Sequence, residues 1–136
     1  MPRNIDIDQL DKEVLYLLNR HIGKENSIDR WLMVFDLFGE RVAHEKQNDD
    51  HPLDRAIRAS VNRLRKQGHL ICDLGNGKGR YLAKDEKEFW EMYSYYATPL
   101  KERAEVLRSM KKSALQKWPN VLQPNLFDAF ESAEMI

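Results

Sequence analysis

The densest concentration of chemically capable side chains lies between residues 55 and 84. Arg55, Arg58, Arg63, Arg65, Lys66, Lys78, Arg80 and Lys84 fall there against a single acid, Asp73, so the segment carries +7. The whole chain balances 22 Lys and Arg against 22 Asp and Glu, which leaves −7 for the remainder. Such segregation suits a polyanionic partner: guanidinium groups bond guanine edges bidentately, carboxamides do the same with adenine, and lysine meets phosphate. On a helix at 100° per residue, Arg55, Arg58, Asn62, Arg65 and Lys66 lie broadly opposite Ile57, Val61 and Leu64. The pattern favours binding of double-stranded DNA by Arg55, Arg58, Asn62, Arg65, Lys66, Lys78 and Arg80. A solvated basic face paired with acids elsewhere is the plain alternative. On the DNA reading, loss of Arg58 and Arg65 together abolishes most binding and leaves the melting temperature nearly unchanged; a strongly lowered melting temperature would make these arginines structural and count against that assignment.

Other candidate chemistry is weaker. Gly75-Asn76-Gly77-Lys78-Gly79 is rich in glycine, but a phosphate loop leads into a helix and follows its Lys with Ser or Thr. Here Gly79 and a strand-like segment follow Lys78, so a hairpin tip is the better reading. His44 and His51 flank Glu45, Asp49 and Asp50, yet the spacing matches no metal motif. Asp49-Asp50 lacks the apolar setting that raises a carboxyl pKa for acid catalysis. Cys72, the one cysteine, excludes a disulfide framework and alternates with apolar neighbours as a core residue does. No nucleophile and base are paired, so the sequence points to no enzyme, no metal and no cofactor.

The elements that must position the basic residues follow from apolar spacing. Leu10, Val14, Leu17 and Leu18 mark a helix over residues 8–22, with acidic Asp8 and Asp11 in its first turn and Gly23 as its stop. Ser27 caps a second helix along Trp31, Phe35, Phe38 and Val42, which Gly39 ends or weakens. A polar stretch centred on Gln47-Asn48-Asp49-Asp50 then leads to His51-Pro52, a helix start with proline at the first position. That third helix runs to about Gln67, stops at Gly68, and turns Leu53, Ile57, Ser60, Val61 and Leu64 inward. Strands follow at 69–73 and 80–83. Helix resumes near Asp85 along Phe89, Tyr93 and Tyr96, is interrupted or re-capped at Thr98-Pro99, and continues through Leu100, Ala104, Leu107 and Ala114 to Trp118. Leu100, Leu107 and Ala114 at sevenfold spacing, with Met110 beside them, offer a homodimer seam.

A chain of 136 residues with 42% hydrophobic and 32% charged residues reads as one soluble, helix-rich domain with an extension. Its longest apolar run, residues 31–35, falls far short of the ~20 residues of a membrane span. The first residues lack the apolar core of a secretory signal, so a cytoplasmic location is expected.

Three helices, a hairpin and a long C-terminal helix, with the stretch from Asp54 through Leu64-Arg65-Lys66-Gln67-Gly68-His69-Leu70-Ile71, resemble the winged helix-turn-helix superfamily over residues 8–84. Gly77-Lys78-Gly79-Arg80-Tyr81-Leu82-Ala83 before a long helix is similar to small phage and prophage winged-helix proteins. The resemblance implies a mainly α fold with a small β-hairpin (α+β). Its domains would be a winged domain at 1–84, a helical extension at 85–118 suited to dimerisation, and a tail at 119–136. The recognition helix is then 52–67 and the wing 75–79, in a DNA-binding protein of phage type acting in DNA replication or its control. A regulator on a palindromic operator and an adaptor that binds protein but not DNA are the alternatives. The turn before the third helix is longer than the family's usual few residues. In the tail, Gln123-Pro124-Asn125-Leu126-Phe127 resembles the Gln-x-x-Leu-Phe peptides with which bacterial replication proteins dock on the sliding clamp. Leu126 and Phe127 would fill a pocket while the Gln123 amide bonds its rim; a tail folded back on the domain is the alternative.

Overall fold

The computed structural model describes residues 4–75 and 78–119. In chain order the elements are α1 (Ile7–Leu18), β1 (Ile28–Asp29), α2 (Arg30–Phe38), α3 (Pro52–Lys66), β2 (Ile71–Asp73), β3 (Gly79–Leu82) and α4 (Glu86–Lys117), with 3-10 turns at Lys24–Asn26 and His44–Lys46. The fold is mainly helical with a three-stranded antiparallel sheet in the order β1-β3-β2. Two compact units divide the chain, Met1–Met92 and Tyr93–Ile136, so the boundary falls inside α4.

In the first unit, α1 starts at Asp6, whose carboxylate accepts from the Gln9 amide at 3.2 Å, and buries Leu10, Val14, Leu17 and Leu18 as their spacing requires. It ends four residues before the expected stop. Beyond it, Ile22 bridges Leu82 in parallel and the Gly23 amide donates to the Leu82 carbonyl at 2.8 Å, so sheet pairing takes these residues from the helix.

The second helix also departs from expectation. Asp29, not Ser27, caps it, accepting from Trp31 N at 2.8 Å and Leu32 N at 3.4 Å. Ser27 sits ahead of β1, a third strand that two residues cannot announce by alternation. Pairing of Ile28 with Arg80 and Asp29 with Gly79 fixes the chain's entry into α2, and the helix then turns Met33 and Val34 into the core. Trp31 and Phe38 are half-buried at its margin, and Phe35 is exposed. Gly39, left-handed at φ 71°, ends α2 before Val42 is reached.

The third helix matches its expected span and inner face, burying Leu53, Ile57, Ser60, Val61 and Leu64. His51 Nδ1 accepts from Leu53 N at 3.2 Å, Pro52 occupies the first turn, and left-handed Gly68 follows the end at φ 101°. One further residue of α3 is fully buried, the acid Asp54. After β2, the hairpin returns through Gly79, where a Cβ would lie 2.8 Å from Leu74 Cδ1.

The start of α4 is tied into the first unit by a reciprocal cap. Asp85 accepts from Glu88 N at 2.9 Å, and the buried Glu88 carboxylate accepts from Lys24 N at 3.0 Å and Lys84 N at 3.1 Å. The helix then continues without interruption through Pro99. Proline deletes one amide donor there, and the flanking turns, rich in Glu, Lys, Ala and Leu, carry on across the gap.

A polar tie joins α1 to α3. Asp11 accepts from Arg63 Nε at 3.0 Å, from its terminal nitrogen at 2.8 Å and from the Ser60 hydroxyl at 2.6 Å. The Arg63 hydrogen bonds hold the Asp11 carboxyl below the usual aspartate range, with Ser60 assisting against partial burial. A depressed folded-state pKa stabilises above the unfolded value and ceases to do so as pH falls through the folded one. Asp11→Asn is therefore expected to lower stability by about 1 kcal/mol at neutral pH, Arg63 being one-third exposed. In urea titrations that difference shrinks as pH falls below the ordinary aspartate value of about 3.9 and through the lower folded-state one; a pH-independent difference would mean the carboxylate's charge is irrelevant.

Candidate nucleic-acid interface

The inward anchoring of α3 decides which of its basic residues reach solvent. Arg55, Ala59, Asn62 and Lys66, spaced by four, three and four, form its exposed stripe. Among the described residues, no carboxylate pairs with Arg55 or Lys66. The small Ala59 leaves the middle of the stripe open to close approach. On the hairpin, Lys78 is exposed.

The remaining arginines have protein partners. Arg58 Nε lies 3.2 Å from Asp54 Oδ2, and its terminal nitrogen donates to the Asp49 carbonyl. Arg65 donates to the Ile71 carbonyl at 2.8 Å and to Asp73 at 3.2 Å, tying the end of α3 to β2. Their side chains remain 41% and 32% exposed, so both stand at the edge of the stripe with part of their donor capacity committed. Arg63, on the other flank, is held by Asp11.

Arg80, expected on the hairpin surface, is only 4% exposed. It lies in the central strand, opposite Ile28 on one side and Asp73 on the other, and its guanidinium reaches under the helices to within 3.5 Å of Met33 Sδ. Burial pushes its pKa down, with the Asp54 charge opposing. This is a correction to the surface placement, since so buried a side chain has no path to phosphate.

Sequence reasoning passed over the group around which these arginines gather. Asp54 is fully buried, and Arg30 at the start of α2 donates to it through Nε at 3.2 Å and to Asp49 at 2.9 Å. Hydrogen bonding to Asp54 raises the Arg30 pKa above its ordinary value. A signal existed: at 100° per residue Asp54 falls beside Val61, on the apolar side of the helix. The long connection before α3 is pinned by the same residues, because Asp49 meets both Arg30 and Arg58.

The other candidates carry less. Strand β3, not a helix, follows Gly79, and Asn76 and Gly77 lie outside the described residues. Cys72 is fully buried, and desolvation pushes its thiol up to about 11, away from the reactive thiolate at neutral pH. Among the described residues no cluster of three His, Cys, Asp or Glu is placed to hold a metal, and no helix is long and apolar enough to cross a membrane. Gln123, Leu126 and Phe127 lie outside the described residues. No family model matches the chain, and searches of curated proteins and of solved structures find no significant match.

The ion pairs reverse the stability expectation for Arg58 and Arg65. Replacing both by Ala should cost about 1 kcal/mol at each site, lowering the melting temperature by roughly 5–10 °C. Calorimetry showing an unchanged midpoint would mean that neither contact contributes.

Proposed function

We propose that the first unit is a winged helix-turn-helix module that binds double-stranded DNA, with α3 in the major groove and the β2–β3 hairpin against the backbone. Support comes from the element order helix, strand, helix, helix, strand, strand, with the strand of the first connection paired to β3. The observation that carries the reading is the outward stripe of Arg55, Ala59, Asn62 and Lys66 on a helix whose opposite face is locked in the core. Arg55 and Asn62 are of the types that read guanine and adenine edges, and Lys66 and Lys78 suit phosphate. Arg58 and Arg65 flank the stripe and add charge while remaining braced by Asp54 and Asp73.

Fluorescence anisotropy on labelled duplex, titrated across salt, tests this. Affinity should fall linearly on logarithmic axes with a slope of about −0.9 per phosphate contacted. Changing Arg55, Asn62 and Lys66 together to Ala should weaken binding by about 100-fold or more while sparing the melting temperature, because these side chains brace nothing. No binding at low salt would sink the proposal.

The role in replication rests on the likeness of the segment Gln123-Pro124-Asn125-Leu126-Phe127 to clamp-docking peptides, with a bacterial sliding clamp as the partner. A synthetic peptide of residues 119–131 should bind such a clamp in calorimetric titration. Leu126→Ala with Phe127→Ala should abolish the signal, and absence of heat with the native peptide would remove the replication role.

A further inference from the structure

We propose that residues 120–136 fold back along α4 and cover one side of it, so that the helix competes with any docking partner for Leu126. Beyond Tyr93, where the second compact unit begins, α4 is not exposed evenly. Ala104 is only 7% exposed and Leu107, Lys111, Ala114 and Leu115 are half-buried, whereas Val106 and Met110 stand 58% and 63% exposed. At 100° per residue the first five fall within about 100° of the helix circumference, and Val106 and Met110 fall outside that arc. A helix standing alone shades no side in preference to another, so this side has a cover.

Charge and length select the chain's own C-terminal segment as the occupant. Arg103, Arg108 and Lys111 lie within about 70° of the middle of the shaded side, while the two acids of residues 101–117, Glu102 and Glu105, point to the far side. A small-residue strip rimmed by cations suits an apolar segment that bears acids. Residues 119–136 hold three acids, Asp128, Glu131 and Glu134, and no base. Within them Leu126, Ala129, Phe130 and Ala133 recur at the spacing of one helical face, behind Pro124, which suits a first turn. As a helix, residues 124–136 span about 20 Å, enough to reach from the end of α4 back to Ala104. Leu100, one turn beyond that reach, is 58% exposed. Returning antiparallel, the segment sets Leu126 against Ala114 and Leu115, and Ala133 against Leu107. Leu126 is one of the two apolar side chains offered above to a sliding clamp, so on that reading the cover restrains docking.

Disulfide trapping in the full chain tests the contact with no partner present. Leu107→Cys with Ala133→Cys should close an internal disulfide under mild oxidation, read as a faster monomer band on a non-reducing gel. Val106→Cys with Ala133→Cys, one residue away but on the open side, should not close. The native Cys72 is buried and does not interfere. No trapping, equal trapping at the two positions, or a bond between chains rather than within one overturns the proposal. The competition is read with a bacterial sliding clamp. Ala104→Glu with Leu107→Glu sets acids beneath an acidic cover, and should tighten clamp binding by the full chain about tenfold, to the level of the free 119–131 peptide. Full-chain binding that already equals the peptide's, or that these substitutions leave unchanged, overturns the competition. A clamp that ignores the free peptide removes the replication role instead, and disulfide trapping alone then decides whether the segment covers α4.

Discussion

The carboxylate of Asp54 is the constraint from which the arrangement of the first unit follows. Sealed from solvent in the first turn of α3, it would cost several kcal/mol if left unpaired. Arg30 from α2 and Arg58 from one turn further along α3 supply its partners, and the buried guanidinium of Arg80 in β3 adds a favourable charge nearby. Satisfying Asp54 therefore requires α2 and α3 to be docked together. Through Asp49, the same arginines hold down the connection between those helices, which is why a loop longer than a tight turn still ends in a defined helix start.

This arrangement sorts the basic residues into two populations. Arg63 and Arg65 tie α3 to α1 and β2, Arg58 and Arg30 answer Asp54, and Arg80 is internal. Among the described residues of 55–84, Lys84 lies 3.9 Å from Glu88, and Arg55, Lys66 and Lys78, with the amide of Asn62 beside them, meet no carboxylate and keep their donors for a ligand. The +7 of residues 55–84 thus overstates the charge available to a polyanion, and the braced arginines at the stripe's edge hold α3 rigid. Rigidity matters for recognition, because side chains on an anchored helix lose less freedom on binding than those on a mobile one.

The C-terminal part of α4 obeys a different logic. The first turns of the helix are secured by Glu88, whose buried carboxylate collects two backbone amides. Farther along, the apolar residues no longer follow the inward pattern of α1 or α3, and large side chains such as Met110 and Val106 stand in solvent.

The parts of the fold legible in the sequence were those decided within a turn or two of chain. The inner face of α3 follows from period alone, and its ends from Pro52 and Gly68, because helix register and capping are local interactions. Strands β2 and β3 were legible for a similar reason, being neighbours joined by a glycine-rich hairpin. What only the tertiary structure decided involves partners far apart in sequence. β1 exists because β3, some fifty residues later, pairs with it, and that pairing sets which side of α2 is buried. The fate of each arginine depends on a partner elsewhere: Asp11 for Arg63, Asp54 for Arg30, the buried Met33 of α2 for Arg80. A guanidinium on a helix wheel looks the same whether it meets solvent or a carboxylate, and only packing distinguishes the two.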